Sequence, residues 1–446
     1  MGDILRERVL EKSYKDLLKY RWIVFACIAS IYFFVYFYRV APAAMSQGLL
    51  QEWHLQGSAL GTMSSLYFLL YAAAQIPAGI AADTIGPKKS IILSAVVMAI
   101  GSVLSYIAPT FTVLSIGRAV IGLGAGLTLV PLYKILRYWF KEREIATMIG
   151  FSGAIGSLGS VLASAPLVAA ILLVGWRNTF LYVAIIVLGL AALNIKFVED
   201  SPEKKGFPSI EQHQADSTEK LSTRTMILQG VSMWFKNPIF PLLAVIMMIC
   251  YGSLMGLQGL WAGPFLSDVY GMSNSMVGDW LLIMSIGMML GQVAGGVISD
   301  KLFKAKRRLS ILVGCTLMVL IWTLLVIVPK SGQHLGILKF LFFALPVADS
   351  IATVPIQALV AESSPKETYG TVFGISNMFP FLGGSIFQRV MGIILDKSGP
   401  VVENGTKIFP LSGYVATFVF CALALFIATL LTLFIKERSS VKVAFP

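Results

Sequence analysis

Four ionisable residues stand out within long apolar runs: Arg39 in "YFYRVAPAA", Arg118 in "GRAVIGLGAG", Asp349 in "LPVADSIATVP" and Arg389 in "IFQRVMG". A charge in hydrocarbon costs about 2.5–3.5 kcal/mol on insertion scales, so such residues face a polar cavity or a partner. Arg39 offers a permanent charge and a planar two-pronged donor, the chemistry that holds a carboxylate or phosphate. Tyr32, Tyr36 and Tyr38 add hydroxyls and ring faces beside it. The alternative for Arg39 is snorkelling or pairing within the protein. Asp349 is the one acid placed near the middle of an apolar run. Burial favours its neutral acid and a nearby cation favours its carboxylate, so a group held between them can load and release a proton. The alternative is a fixed ion pair with an arginine. Arg389 precedes Asp396 by seven residues on nearly one helical face, which fits a structural pair.

The elements that must carry these charges follow from composition. The chain has 446 residues, 57% hydrophobic and 13% charged, against about 25% charged for a soluble domain. It cannot cover itself with polar surface in water, so its main solvent is lipid. Twelve apolar runs have roughly the ~20 residues a spanning helix needs: 22–45, 58–82, 90–108, 112–133, 145–174, 178–197, 238–266, 277–299, 309–329, 336–361, 369–395 and 411–435. The expected fold class is an all-α integral membrane protein. With the N-terminus in the cytoplasm, 27 of the 35 Lys and Arg lie on the cytoplasmic side, five on the other and three inside spans. That asymmetry orients the chain with both termini cytoplasmic. It also accounts for the net charge of +12 without a nucleic-acid partner. The first 21 residues have no apolar core of a cleaved signal, so the first span acts as the insertion signal.

Several chemistries are absent from the pattern. No G-x-x-x-x-G-K-[ST] occurs, so ATP is not the expected energy source. The four cysteines fall singly in four spans and the three histidines in loops, so no metal site, disulfide or cofactor is expected. No nucleophile–base cluster is seen, and the chain is not expected to be an enzyme.

The sequence repeats itself. "QIPAGIAADTIGPKKS" from Gln75 is matched by "QVAGGVISDKLFKAKRR" from Gln292, with Gln75, Gly79 and Asp83 each 217 positions before Gln292, Gly296 and Asp300. Residues 199–236 form the one long polar interval, dividing an N-terminal six-helix bundle (1–198) from a C-terminal one (237–446). The end of that interval reads as a surface amphipathic helix or plain linker. Two parallel six-span halves suit alternating access to a site between them.

Gly79, Asp83, Gly86, Lys88 and Lys89 resemble the G-x-x-x-D-x-x-G-[RK]-x-[RK] loop of the major facilitator superfamily, and Gly296, Asp300 and the basic run to Arg308 resemble its second copy. "GRAVIGLGAG" resembles the family's fourth helix. The resemblance implies two pseudo-symmetric six-helix bundles and a central cavity lined by helices 1, 4, 7 and 10. Arg39, Arg118 and Asp349 then fall on three of these, and Gln258 and Trp261, in "GLQGLWAGPF", on the fourth. Substrate binding is thus expected at Arg39, Tyr36, Gln258, Trp261 and Arg118, and proton coupling at Asp349. Arg118 has a structural alternative. Gating is expected at Gly79, Asp83, Gly86, Lys88, Lys89 and Asp300. Asp83 is expected to accept from a helix start and draw basic loops, a latch made only while the cytoplasmic side is shut.

The chain looks similar to bacterial sugar-phosphate or organic-anion permeases. These also place a basic residue on helix 7, where this chain has Gln258. The expected function is secondary active transport of a small polar, anionic solute, coupled to H+. The expected setting is the lipid bilayer of a bacterial inner membrane, with the chain working as a monomer. The alternatives are an exporter of amphipathic compounds, a carrier of dipeptides or siderophores, or a transporter-derived solute receptor. The family's antiporter Gly-Pro pair late in helix 5 is replaced by "ASAPLV", which argues against export.

Overall fold

The computed structural model describes residues 2–208, 210, 223–304, 306–330, 334–364, 369–403 and 406–435. Side chains are described for all of these except 2–13, 83, 142, 143, 146, 147, 223–227, 369, 370, 403 and 406. Among the described residues, 11 helices are long and apolar enough to cross a membrane, and Met148–Leu162 is a shorter apolar helix. The difference from twelve runs has a local cause. The run 145–174 is broken after the helix Glu142–Leu162, and its remainder continues through Ala165–Phe197. That second helix is itself interrupted at Gly175, whose φ of 80° and ψ of 156° are not helical. A backbone of this kind is open to glycine and strained for other residues. The break at Gly175 therefore separates the fifth span from the sixth.

The helices carry their apolar residues outward as well as inward. Leu173 is 84% exposed and Phe434 72% exposed. In water such surface would drive aggregation; in a bilayer it is the lipid-facing wall. The chain is a multi-pass membrane protein. Pro42, Pro77, Pro346, Pro355 and Pro380 sit inside helices, as membrane helices tolerate.

The chain forms two compact units: residues 1–45 with 62–223, and residues 46–61 with 224–446. In the first, Pro87–Tyr106 packs on Phe111–Gly126 and on Ala165–Phe197. In the second, Asn274–Val297 packs on Leu335–Ser363, and Ile239–Gly256 on Tyr369–Asp396. Arg307–Ile327 lies against both Leu335–Ser363 and Leu411–Thr432. Cys250 and Cys315 lie in different spans, as expected, and their thiols come within 3.6 Å of each other in the second unit. They remain unbonded thiols.

The end of the polar interval is a helix, Thr223–Lys236. It is pinned by Trp234, which stacks on Phe379 at 5.4 Å and donates from Nε1 to Ser376 Oγ at 3.0 Å. Phe235 and Leu228 are exposed, so the helix has one docked side and one open apolar side.

Candidate functional site

In the first unit, close helix packing builds a cationic, ring-lined cluster. Gly122 and Gly126 lie so near the Tyr67 and Tyr71 backbones that a methyl group at either would collide. The "GLGAG" run thus works as a packing surface, and it holds Tyr67 and Tyr71, one helical turn apart, beside the arginines. The Arg39 guanidinium is buried, 4.2 Å from the Tyr36 ring centre and 5.5 Å from that of Tyr71. Cation–π contacts of this kind gain strength when desolvated, to about 2 kcal/mol. Tyr67 donates to the Val35 carbonyl at 2.9 Å, which fixes its ring.

Arg118 lies 5.0 Å from the Tyr67 ring and donates from Nη1 to the Tyr38 carbonyl at 2.9 Å. Its Nε and Nη2 are buried with no hydrogen-bond partner among the described residues. Tyr38 in turn shares a hydrogen bond with Ser102. Arg118 therefore ties the helix Phe111–Gly126 to the first helix, Gly2–Trp53, while keeping donors unspent. The structure brings Arg39, Tyr36 and Arg118 into one cluster joined through Tyr67 and Tyr71. Those two tyrosines were not singled out from sequence, although their i, i+4 spacing in "YFLLY" was a usable signal.

In the second unit, Gln258 and Trp261 share one π-helical turn, Leu257–Trp261, and both are fully buried. Trp261 donates from Nε1 to the Gln388 carbonyl at 3.0 Å. Asp349 is buried in the helix Leu335–Ser363. Its Oδ2 accepts from Thr353 Oγ1 at 3.4 Å, and its Oδ1 has no partner among the described residues. Arg389 is exposed, and no ion pair of it with Asp396 is found among the described residues. Asp396 accepts instead from the Gly57 and Ser58 amides. The expected Arg389–Asp396 pair is replaced by a helix cap.

The repeated loops are also visible, each within its own unit. Asp83 stands one residue before the end of the helix Gly57–Thr84, and its side chain lies outside the described residues. A Cβ on Gly79 would meet open space. Gly86 has φ 94° and opens the helix Pro87–Tyr106. Asp200 sits over that opening and accepts from the Lys88 amide at 2.8 Å, and Lys88 Nζ pairs with Glu199 at 2.7 Å. Lys89 is exposed. In the second copy, Asp300 pairs with Arg307, which also reaches Glu362 at 2.9 Å. Outside the spans, Arg21 grips Glu144 at 2.8 Å. Partial burial works against the Glu144 charge, but hydrogen bonds from Arg21 and the Lys141 amide hold its carboxyl below the usual range.

Comparison with known proteins agrees with this architecture. Residues 24–388 match the model of the Major Facilitator Superfamily. The chain is 24% identical to a probable sulfoacetate transporter, SauU, of Cupriavidus necator, over 86% of this chain and 90% of that protein. It is 23% identical to the glycerol-3-phosphate transporter of Bacillus subtilis, over 84% and 85% of the two chains. A solved bacterial homolog of the human lysosomal transporter Spinster, inward-facing and unoccupied, superposes with a TM-score of 0.74 at 17% identity, covering 93% of this chain and 96% of that one. An apolar, mainly helical chain with two compact units, a repeated Gly–Asp–basic loop and a family match over most of its length has one reading: the protein belongs to the Major Facilitator Superfamily and is a transporter.

Proposed function

We propose that the protein is a secondary active transporter that moves a small, polar, anionic solute by alternating access, coupled to protons. The observation that carries this is the Arg39 cluster: a guanidinium that cannot shed its proton, buried against Tyr36 and Tyr71 in a chain otherwise built of apolar spans. Such a group attracts anions and repels cations. The names of the relatives support the same chemistry, since sulfoacetate and glycerol 3-phosphate are both small organic anions. Tyr36, Gln258, Trp261 and Arg118 serve as further substrate-site residues, with Arg118 spending one donor on the fold. Asp349 is the proton carrier. Gly79, Asp83, Gly86, Lys88, Lys89 and Asp300 belong to the gate on the side taken as cytoplasmic, joined by the linker 199–236.

The test is counterflow exchange in proteoliposomes with labelled sulfoacetate, glycerol 3-phosphate and glucuronate. Wild type exchanges at least one of them, and Arg39→Ala does not. Exchange only of neutral or cationic solutes by wild type would overturn the reading.

A further inference from the structure

The signature G-x-x-x-D stands at the end of three spans. Gly79–Asp83 ("GIAAD") ends the helix Gly57–Thr84, Gly296–Asp300 ("GVISD") ends the span Asn274–Leu302, and Gly392–Asp396 ("GIILD") ends the helix Tyr369–Asp396. Every aspartate with a glycine four residues before it lies at one of these ends. The first two belong to the repeated loops. The third stands outside them.

The third copy shows what the signature can do. The Asp396 carboxylate accepts from the Gly57 amide on Oδ1 at 2.7 Å and from the Ser58 amide on Oδ2 at 2.8 Å. These are the first two amides of the helix Gly57–Thr84, which its own backbone leaves unpaired. A carboxylate on such a start is a charge-assisted cap that the helix dipole favours. Gly392 permits the approach, since a Cβ there would collide with the Gly57 carbonyl. The glycine lets two backbones meet, and the aspartate one turn on fastens them. The other two copies are not filled in this way. Among the described residues, a Cβ on Gly79 or Gly296 would meet open space, and Asp300 pairs with Arg307 of its own loop.

The piece that Asp396 fastens is a short strap. Residues 46–61 cluster with the second unit, while 1–45 and 62–223, on either side of them in sequence, form the first. A second fastening lies near the start of the strap, where Gln47 donates from Nε2 to Asp268 Oδ1 at 3.1 Å. Asp268 Oδ2 accepts in turn from the Tyr414 hydroxyl at 2.7 Å and the Phe409 amide at 3.1 Å. Gly57 is seated on rings, because a Cβ there would come within 3.1 Å of Phe409 and 3.2 Å of Trp261. These fastenings are hydrogen bonds and close packing, so the strap can leave without any covalent change.

Position makes the cap a latch. Gly57 and Asp83 stand at opposite ends of a 28-residue helix, roughly 42 Å long at helical rise. The hydrocarbon of a bilayer is about 30 Å thick, so Asp396 and Asp83 act at opposite faces of the membrane. We propose that Gly392 and Asp396 form an outer latch on the start of the helix Gly57–Thr84, closed in this structure and broken when the transporter opens on the face away from Asp83. The proposal rests on the alternating-access reading and adds to it the lock of the second face. Asp396 touches no solute. It positions the strap.

The experiment puts spin labels on Glu52, in the strap, and on Lys397, beside the latch, both exposed. The full-length protein, its four cysteines replaced by alanine, is held in nanodiscs, and pulsed dipolar EPR reads the distance distribution. Spectra are taken with and without sulfoacetate, glycerol 3-phosphate and glucuronate, and counterflow of each is measured in proteoliposomes. Wild type shows a dominant short distance and a minor long one. Asp396→Ala and Gly392→Ala each raise the long-to-short ratio about tenfold. Adding Asp83→Asn to Asp396→Ala brings the ratio back toward wild type, because a helix released at both ends favours neither face. A merely structural defect at Asp396 would not respond to a change at the far end of the helix. Should the alanine variants not fold, Asp396→Asn, which keeps the shape and gives up the charge, is read in their place. An unchanged ratio in these variants, or a rise that Asp83→Asn does not reverse, overturns the latch and leaves the transporter reading standing. A wild type that exchanges solute yet keeps one fixed distance overturns alternating access, and the latch falls with it. If none of the three anions is exchanged, the anion reading fails, while the ratios still decide the latch.

Discussion

Arg39 is the residue on which substrate chemistry rests. Its guanidinium lies 4.2 Å from the centre of the Tyr36 ring, and its planar fork offers a two-pronged donor that an ammonium does not reproduce. Arg39→Lys should weaken solute binding by roughly 1.5–3 kcal/mol, about ten- to a hundredfold in Kd. Titration calorimetry with the exchanged anion checks this, and unchanged binding in Arg39→Ala would make the residue structural. Glu144 has a pH signature of its own. Hydrogen bonds from Arg21 and the Lys141 amide hold its carboxyl below the usual carboxylate range against partial burial, so the native state favours the ionised form. That stability is present above the unfolded value and is lost as pH falls through the lower folded value. Glu144→Gln should flatten the acid limb of a plot of Tm against pH and lower Tm slightly at pH 7, since a half-exposed pair is worth about 1 kcal/mol or less. An unchanged acid limb would contradict it. The arginines were legible in sequence because a charge inside an apolar run is conspicuous without any tertiary knowledge. Tyr67 and Tyr71 were not, because their spacing was hidden among 15 tyrosines and 28 phenylalanines. Gln388 and Asp396 could not be, because their roles depend on which helix crosses theirs.

At the scale of the element, helix starts and breaks set the positions of these side chains. The helix Pro87–Tyr106 begins at Gly86, in a left-handed conformation beneath the Asp200 carboxylate, to which a Cβ would come within 3.0 Å. Gly86→Ala should cost about 1–3 kcal/mol from backbone strain alone and lower Tm, with a further loss if Asp200 is pushed off the Lys88 amide. A Tm equal to wild type would show that the turn relaxes freely. The hydrophobic runs placed nearly every span, since twenty apolar residues leave few other readings. They set the boundary of the fifth and sixth spans between 174 and 178, where Gly175 breaks the helix, and missed the break after Leu162 inside the fifth run. The π-turn at Leu257–Trp261 was equally invisible. Gly259 inside it does not distinguish a π-turn from an α-turn, and the turn's contact with Gln388 comes from another helix.

For the whole molecule, the repeat was legible because duplicated halves keep matching boundary residues at a constant offset. Asp83 and Asp300, 217 positions apart, mark it. Asp83→Asn should slow turnover while folding and solute binding remain near wild type; equal transport rates in proteoliposomes would remove Asp83 from the gate. Asp349 has no acidic mate in the first half, where Ala125 stands at the corresponding offset. It is buried, and among the described residues its Oδ1 has no partner and its Oδ2 accepts from Thr353 at 3.4 Å. Uphill movement of an anion, driven through that carboxyl, is the central claim. Its most direct test is accumulation of the exchanged anion in proteoliposomes under an inwardly directed proton gradient, for wild type and Asp349→Asn. The account predicts that wild type accumulates the anion and stops when a protonophore is added, while Asp349→Asn loses accumulation and keeps exchange. Gradient-driven accumulation that persists in Asp349→Asn, or exchange that is lost together with it, would contradict the account.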